Sequence, residues 1–299
     1  MATATATARD WQGPALAVVG AVAFSAKAII VKLAYRYEVD PVTLIMLRML
    51  VAFPFFVAMA WWAGRGRARL APAELLAVTG LGFSGYYLAS TLDFWGLQYI
   101  SASLERLILY LSPATVLLLS WWLFKRPATR TQLWSLALGY GGIVLVFGHE
   151  LRLEGAQVWL GASLVLASTL SYAIYMLYSG EWVQRIGAAR LTGWATAVAC
   201  VLCMLQYLAL RPLATVMAVP EPVWWLSLLN GTLCTVVPVL MVMMAIQRIG
   251  PARSAQLGMA GPISTVVLGV LLLDEPLTLW LLAGTLCVLA SVTLLASRR

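Results

Sequence analysis

Apolar residues in this chain fall into ten long runs, with limits near 13–35, 41–62, 73–95, 103–124, 131–148, 157–179, 191–210, 222–246, 254–273 and 277–296. A helix that crosses a bilayer needs about 20 such residues. It must also satisfy every backbone polar group internally, because hydrocarbon offers no partner. The connections are short and marked by Pro, Gly or charge, as in Tyr37–Pro41, Gly64–Pro72, Lys125–Arg130 and Asp274–Pro276, with Gln98–Ala102 the least marked. The pattern predicts an all-α integral membrane protein of ten transmembrane helices joined by tight hairpins.

Composition agrees: 62% of residues are apolar and 11% charged, against roughly 45–50% and about 25% in soluble domains. So little charge cannot coat a soluble surface. A net charge of +8 would suit a nucleic-acid partner only if the basic residues shared one solvated face, whereas here they sit in short loops. With the amino terminus inside, 13 of the 20 basic residues lie on the inner side, Arg36, Arg152 and Arg211 lie outside, and Lys27, Lys32, Arg48 and Arg106 lie within runs. Basic loops favour the cytoplasm, so both termini are expected there. Trp61–Trp62, Trp121–Trp122 and Trp224–Trp225 sit at run ends, where an aromatic belt belongs. Cys200, Cys203, Cys234 and Cys287 all fall in apolar runs, so even the C-x-x-C pair reads as packing. Residues 1–12 read as a disordered cytoplasmic tail, and the first run as a retained span.

The chain repeats itself. A shift of 149 residues superposes Gln98 on Gln247, Ile100 on Ile249, Pro113 on Pro262, Pro127 on Pro276 and Thr129 on Thr278. This divides it into five-helix halves, 13–150 and 151–299. Five is odd, so the second half enters the membrane inverted. The charges follow: Lys125-Arg126 before Pro127 corresponds to Asp274-Glu275 before Pro276. Two like halves in opposite orientation can exchange conformations, which is the mechanical basis of alternating access.

The segments GLQYISASLERLILYLSPATVLLLSWWLFKRPATRTQLWSLALGYGGIVLVFG and AIQRIGPARSAQLGMAGPISTVVLGVLLLDEPLTLWLLAGTLCVLASVTL resemble the drug/metabolite transporter superfamily and its EamA-type exporters. They share a small-residue run, a mid-helix Pro, a loop acid and a glycine-rich last helix. The resemblance covers essentially the whole chain and is closest to the YddG-type exporters. It implies two inverted five-helix repeats, export of amino acids including aromatic ones or of organic cations such as methyl viologen, and fifth and tenth helices outside the transport path. One departure is Lys125-Arg126, where the family commonly has an acid.

Ionisable residues inside a span are costly and therefore candidates for function. Lys27, Arg48, Asp93, Glu105 and Arg106 are the clear cases, all in the first half. Either the acids neutralise the bases and lock helices together, or Lys27 or Glu105 faces a cavity and binds a carboxylate, an ammonium or a proton. Pro113 and Pro262 should kink their helices and free the carbonyls of Leu109 and Gly258. The repeat then places Tyr110 and Met259 at one central site. Tyr86, Tyr87 and Ser90 in the third run, with Ser171, Tyr172 and Tyr175 in the sixth, offer a polar aromatic lining that suits amphipathic or cationic substrates. Met241, Met243 and Met244 could adapt to ligands or face lipid. No metal or nucleotide motif is present, the one histidine being His149 in a loop, and no cofactor is expected. The predicted partners are the lipid bilayer and a small-molecule substrate, without nucleic acid. Oligomeric state is open, with a monomer allowed. The expected function is secondary export from a bacterial inner membrane. The alternatives are an integral-membrane enzyme acting on a lipid or small metabolite, or a channel.

Overall fold

The computed structural model describes residues 11–125, 129–249, 254, 257–258 and 260–296. Among these the regular structure is helical: α1 (Gln12–Tyr35), α2 (Pro41–Gly64), α3 (Pro72–Gly82), a π-helical turn (Phe83–Leu88), α4 (Ala89–Gly96), α5 (Ala102–Tyr110), α6 (Ser112–Phe124), α7 (Arg130–Glu154), α8 (Gln157–Ile186), α9 (Ala188–Leu210), the short α10 (Leu213–Met217), α11 (Glu221–Gly231), a second π-helical turn (Thr232–Val236), α12 (Val237–Ile249), α13 (Ala260–Leu273) and α14 (Leu279–Ala296). Helix occupies every predicted run. Seven of the helical units are long and apolar enough to cross a membrane, and the bent pair α5–α6 would make an eighth. The stretches α13 and α14 are shorter apolar helices. Met259 and residues 1–10 of the expected tail lie outside the described residues.

Local signals set the ends. Pro41 opens α2 behind Asp40, whose carboxylate accepts from the backbone N–H groups of Val42 and Thr43 at 3.1 and 3.2 Å and from the Thr43 hydroxyl at 2.5 Å. Partial burial opposes ionisation of Asp40, but the Thr43 hydrogen bonds and the Arg211 guanidinium outweigh it and hold the carboxyl below its ordinary range. The turn between α8 and α9 needs φ of 89° at Gly187, where Arg67 Nη1 would lie 2.8 Å from any Cβ.

Burial is reversed relative to a soluble protein. Leu76, Val144, Leu208, Leu271 and Leu286 are exposed, whereas Lys27, Arg48, Asp93, Glu105 and Arg106 are buried. One apolar cluster joins α1, α2, α4 and α9 through Ile29, Leu44, Met49, Phe94, Cys200 and Tyr207. Another joins α5, α7, α8, α13 and α14 through Leu104, Leu107, Val146, Val165, Val266 and Val288. Where α7 meets α14, a Cβ on Gly142 would stand 2.7 Å from Cys287 Cβ and 2.9 Å from the Gly284 carbonyl oxygen. Small residues permit this approach. Gly142→Leu should therefore force the pair apart and cost about 1–3 kcal/mol, read as a lowered thermal midpoint in detergent. An unchanged midpoint would refute the packing.

Candidate functional site

A cavity of about 450 Å³ lies among the helices of the bundle, within the range of small-molecule sites. Its wall draws on α1 (Gly20, Phe24, Lys27), α2 (Arg48, Phe56), the first π turn (Tyr86), α4 (Ser90, Asp93), α5 (Arg106, Tyr110), α8 (Ser168, Tyr172), α9 (Thr192, Thr196) and, from the second π turn onward, Thr235, Val239 and Met243. Among the described residues none of α7 or α14 is in that wall.

Buried charge dominates the centre. The Lys27 ammonium bonds the Asp93 carboxylate and lies 3.1 Å from Glu105, with all three side chains 5% exposed or less. Arg48 Nε donates to Thr235 Oγ1 at 3.0 Å and its guanidinium lies 5.2 Å from the Phe94 ring centre. Arg106 donates to Ser25 Oγ at 2.8 Å and faces the rings of Phe24 and Tyr110 at 5.0 and 5.4 Å. Lys27 thus neutralises the acids and is also in the cavity wall. Glu105 is fully buried behind that wall, because the first turns of α5 pack inward.

The helix expected to kink at Pro113 is interrupted instead. Leu111 leaves helical geometry, α6 restarts at Ser112 and the axes meet at 41°. The Leu109 carbonyl accepts from its neighbour Ser112 Oγ at 2.5 Å, and the Gly258 carbonyl accepts from the Tyr110 hydroxyl. The two carbonyls expected to face substrate border the cavity but are already engaged by side chains. Tyr110 is in the wall as expected, tied to the helix segment that leads to Pro262.

Tyr86, Ser90 and Tyr172 also reach the wall. Besides Glu105, three predicted residues stand behind it. Tyr175 bonds the Tyr86 hydroxyl at 3.1 Å and stacks on Tyr172 at 5.5 Å. Ser171 donates to the Ser84 carbonyl at 2.8 Å. Tyr87 packs on Phe83 and the first apolar cluster. Thr192, Thr196 and Thr235, not anticipated, are in the wall, as is Met243.

The two π turns stand at the same 149-residue offset, Phe83 corresponding to Thr232. In the second, Thr235 Oγ1 bonds the Asn230 carbonyl at 2.7 Å, five residues back, while also receiving Arg48. Such turns recur at functional sites. Lys125 and Asp274, another offset pair, both adopt left-handed backbone, φ 50° and 61°.

Polar contacts gather at one end of the bundle. Glu275 accepts from Ala102 N at 2.7 Å, Ser103 N at 3.3 Å and Ser103 Oγ at 2.5 Å, capping the start of α5. Glu150 accepts from the Ser101 hydroxyl and backbone. Asp40 meets Arg211 at 3.2 Å. Helices α5 and α13 pass in opposite directions, since Ser103 neighbours Gly269 while Arg106 and Tyr110 neighbour Gly261.

The profile of the EamA-like transporter family matches residues 11–148 and again residues 159–297. The chain is 30% identical over 273 residues to the uncharacterized transporter YcbK of Bacillus subtilis, spanning 89% of this chain and 87% of that one. An uncharacterized transporter of Archaeoglobus fulgidus is 27% identical over 162 residues, 54% of this chain and 55% of its own. A solved crystal structure superposes with a TM-score of 0.62 at 18% identity, covering 96% of this chain and 98% of its own, and so shares the fold.

Proposed function

We propose, from the premise that this chain belongs to the EamA-like transporter family, that it is a secondary transporter exporting amino acids, aromatic ones among them, and related small metabolites. It works by alternating access in a bacterial inner membrane, with both termini cytoplasmic and halves 13–150 and 151–299 inverted. The observation that carries this is a cavity lined by both halves, with an aromatic and charged wall, while Glu275 of the second half caps α5 of the first. The opposed courses of α5 and α13 support the inversion. Organic dications such as methyl viologen suit the site less, because its buried bases, Lys27, Arg48 and Arg106, outnumber its buried acids, Asp93 and Glu105.

The test is counterflow. Proteoliposomes preloaded with unlabelled phenylalanine should take up labelled phenylalanine transiently above equilibrium, with saturation. Flux that rises without limit would indicate a channel, and chemical conversion of the substrate an enzyme. Either outcome, or no flux for any amino acid, overturns the proposal.

A further inference from the structure

Five ionisable side chains meet in the buried centre of the bundle: three bases and two acids. Both acids are engaged by one base, since Asp93 and Glu105 lie within bonding distance of Lys27. Arg48 and Arg106 are 5% and 4% exposed. Among the described residues neither has a carboxylate in ion-pair contact. Their partners are the hydroxyls of Thr235 and Ser25 and the rings of Phe94, Phe24 and Tyr110. These solvate a guanidinium partly but cannot neutralise it. Arg48 Nη1 and Arg106 Nε are buried with no hydrogen-bond partner, as are Asp93 Oδ1 and Glu105 Oε2, but the two acids share the Lys27 ammonium as an ion-pair partner whereas the two guanidiniums have no anion among the described residues. Both residues are in the cavity wall. A buried cation with unfilled donors is stabilised by an anion, and a guanidinium matches a carboxylate in shape and charge.

We infer that the cavity recognises its cargo through a carboxylate, taken by Arg48 and Arg106, and that Asp93 and Glu105, both held by Lys27, do not serve a cationic amine in its place. The charge imbalance is one unit, so the favoured ligand is an amphipathic monocarboxylate. Its apolar body lies along Phe24, Phe56, Tyr86, Tyr172 and Val239. An amino acid is held by the same carboxylate, but its ammonium must compete with Lys27 for Asp93 or Glu105, which costs affinity. An amine without a carboxylate adds a fourth positive charge and is rejected.

This rests on the cavity being the transport site, and the experiment separates the two ideas. Binding to the purified full-length protein in detergent is measured by calorimetry with 3-phenylpropionate, phenylalanine and 2-phenylethylamine, which differ chiefly in charged groups. The expected order is 3-phenylpropionate about tenfold or more tighter than phenylalanine, with no binding of 2-phenylethylamine. Arg106→Gln and Arg48→Gln should each weaken 3-phenylpropionate about 10- to 100-fold. The series on the unsubstituted protein needs neither variant to fold. Phenylalanine binding tighter than 3-phenylpropionate, or 2-phenylethylamine binding comparably, overturns the inference. Carboxylate-selective binding without counterflow upholds it and removes the transport reading. Counterflow of 2-phenylethylamine removes it and leaves transport standing.

Discussion

Lys27→Met is expected to destabilise the protein by about 3–5 kcal/mol, the cost of removing one partner from a buried ionic group. The lysine ammonium is the bonding partner that Asp93 and Glu105 share, and both acids are buried. Without it two carboxylates stand close together in a poorly solvated interior, and each must shed its charge or force the helices apart. The loss should be conditional. Adding Asp93→Asn and Glu105→Gln to Lys27→Met removes the charges that the lysine balances, and stability should return most of the way. Thermal melts in detergent of the single, double and triple variants give the coupling directly. If Lys27→Met melts like the unsubstituted protein, or if the effects simply add, the three groups do not act as a unit.

The charged centre was legible in the sequence, because a titratable side chain in an apolar run stands out against its neighbours whatever the fold. Lys27, Arg48, Asp93, Glu105 and Arg106 were all visible in this way. The expectation that Tyr110 lines a central site followed from the repeat, which relates positions without needing coordinates. Neighbouring aromatics were harder to separate. Tyr86 reaches the wall and Tyr87 does not, since one residue turns a helical side chain by about 100° and the π turn over Phe83–Leu88 alters that angle locally. Similarly Ser168 reaches the cavity while Ser171 bonds the Ser84 carbonyl. Thr192, Thr196 and Thr235 were missed because an isolated hydroxyl in an apolar run commonly bonds its own helix, leaving no pattern to follow. Glu275 was seen as part of a charge reversal between repeats, and its partner, the start of α5, could be found only once the chain was folded.

Glu275 also carries the largest expected change in conformational balance. Its carboxylate receives three hydrogen bonds at the start of α5, where unpaired backbone N–H groups and the helix dipole favour an anion. It belongs to the second half and its partners to the first, so the cap fastens the halves together at this end. The residue 149 positions earlier is Arg126, which cannot accept from a backbone N–H. Arg126 lies outside the described residues, but an arginine side chain cannot supply a fastening of this chemistry, so the balance should favour the state closed at the Glu275 end. Glu275→Gln removes the charge and replaces one accepting oxygen with a donor, a loss of about 1.5–3 kcal/mol for a charge-assisted cap. The open population at that end should then rise roughly 10- to 100-fold. Ser90→Cys, in the cavity wall, reports this through its reaction with a membrane-impermeant maleimide. In vesicles exposing the Glu275 end, labelling should accelerate by about that factor when Glu275→Gln is added, while labelling from the opposite end slows. Equal rates with and without the substitution would mean that the carboxylate caps α5 but does not govern access to the cavity.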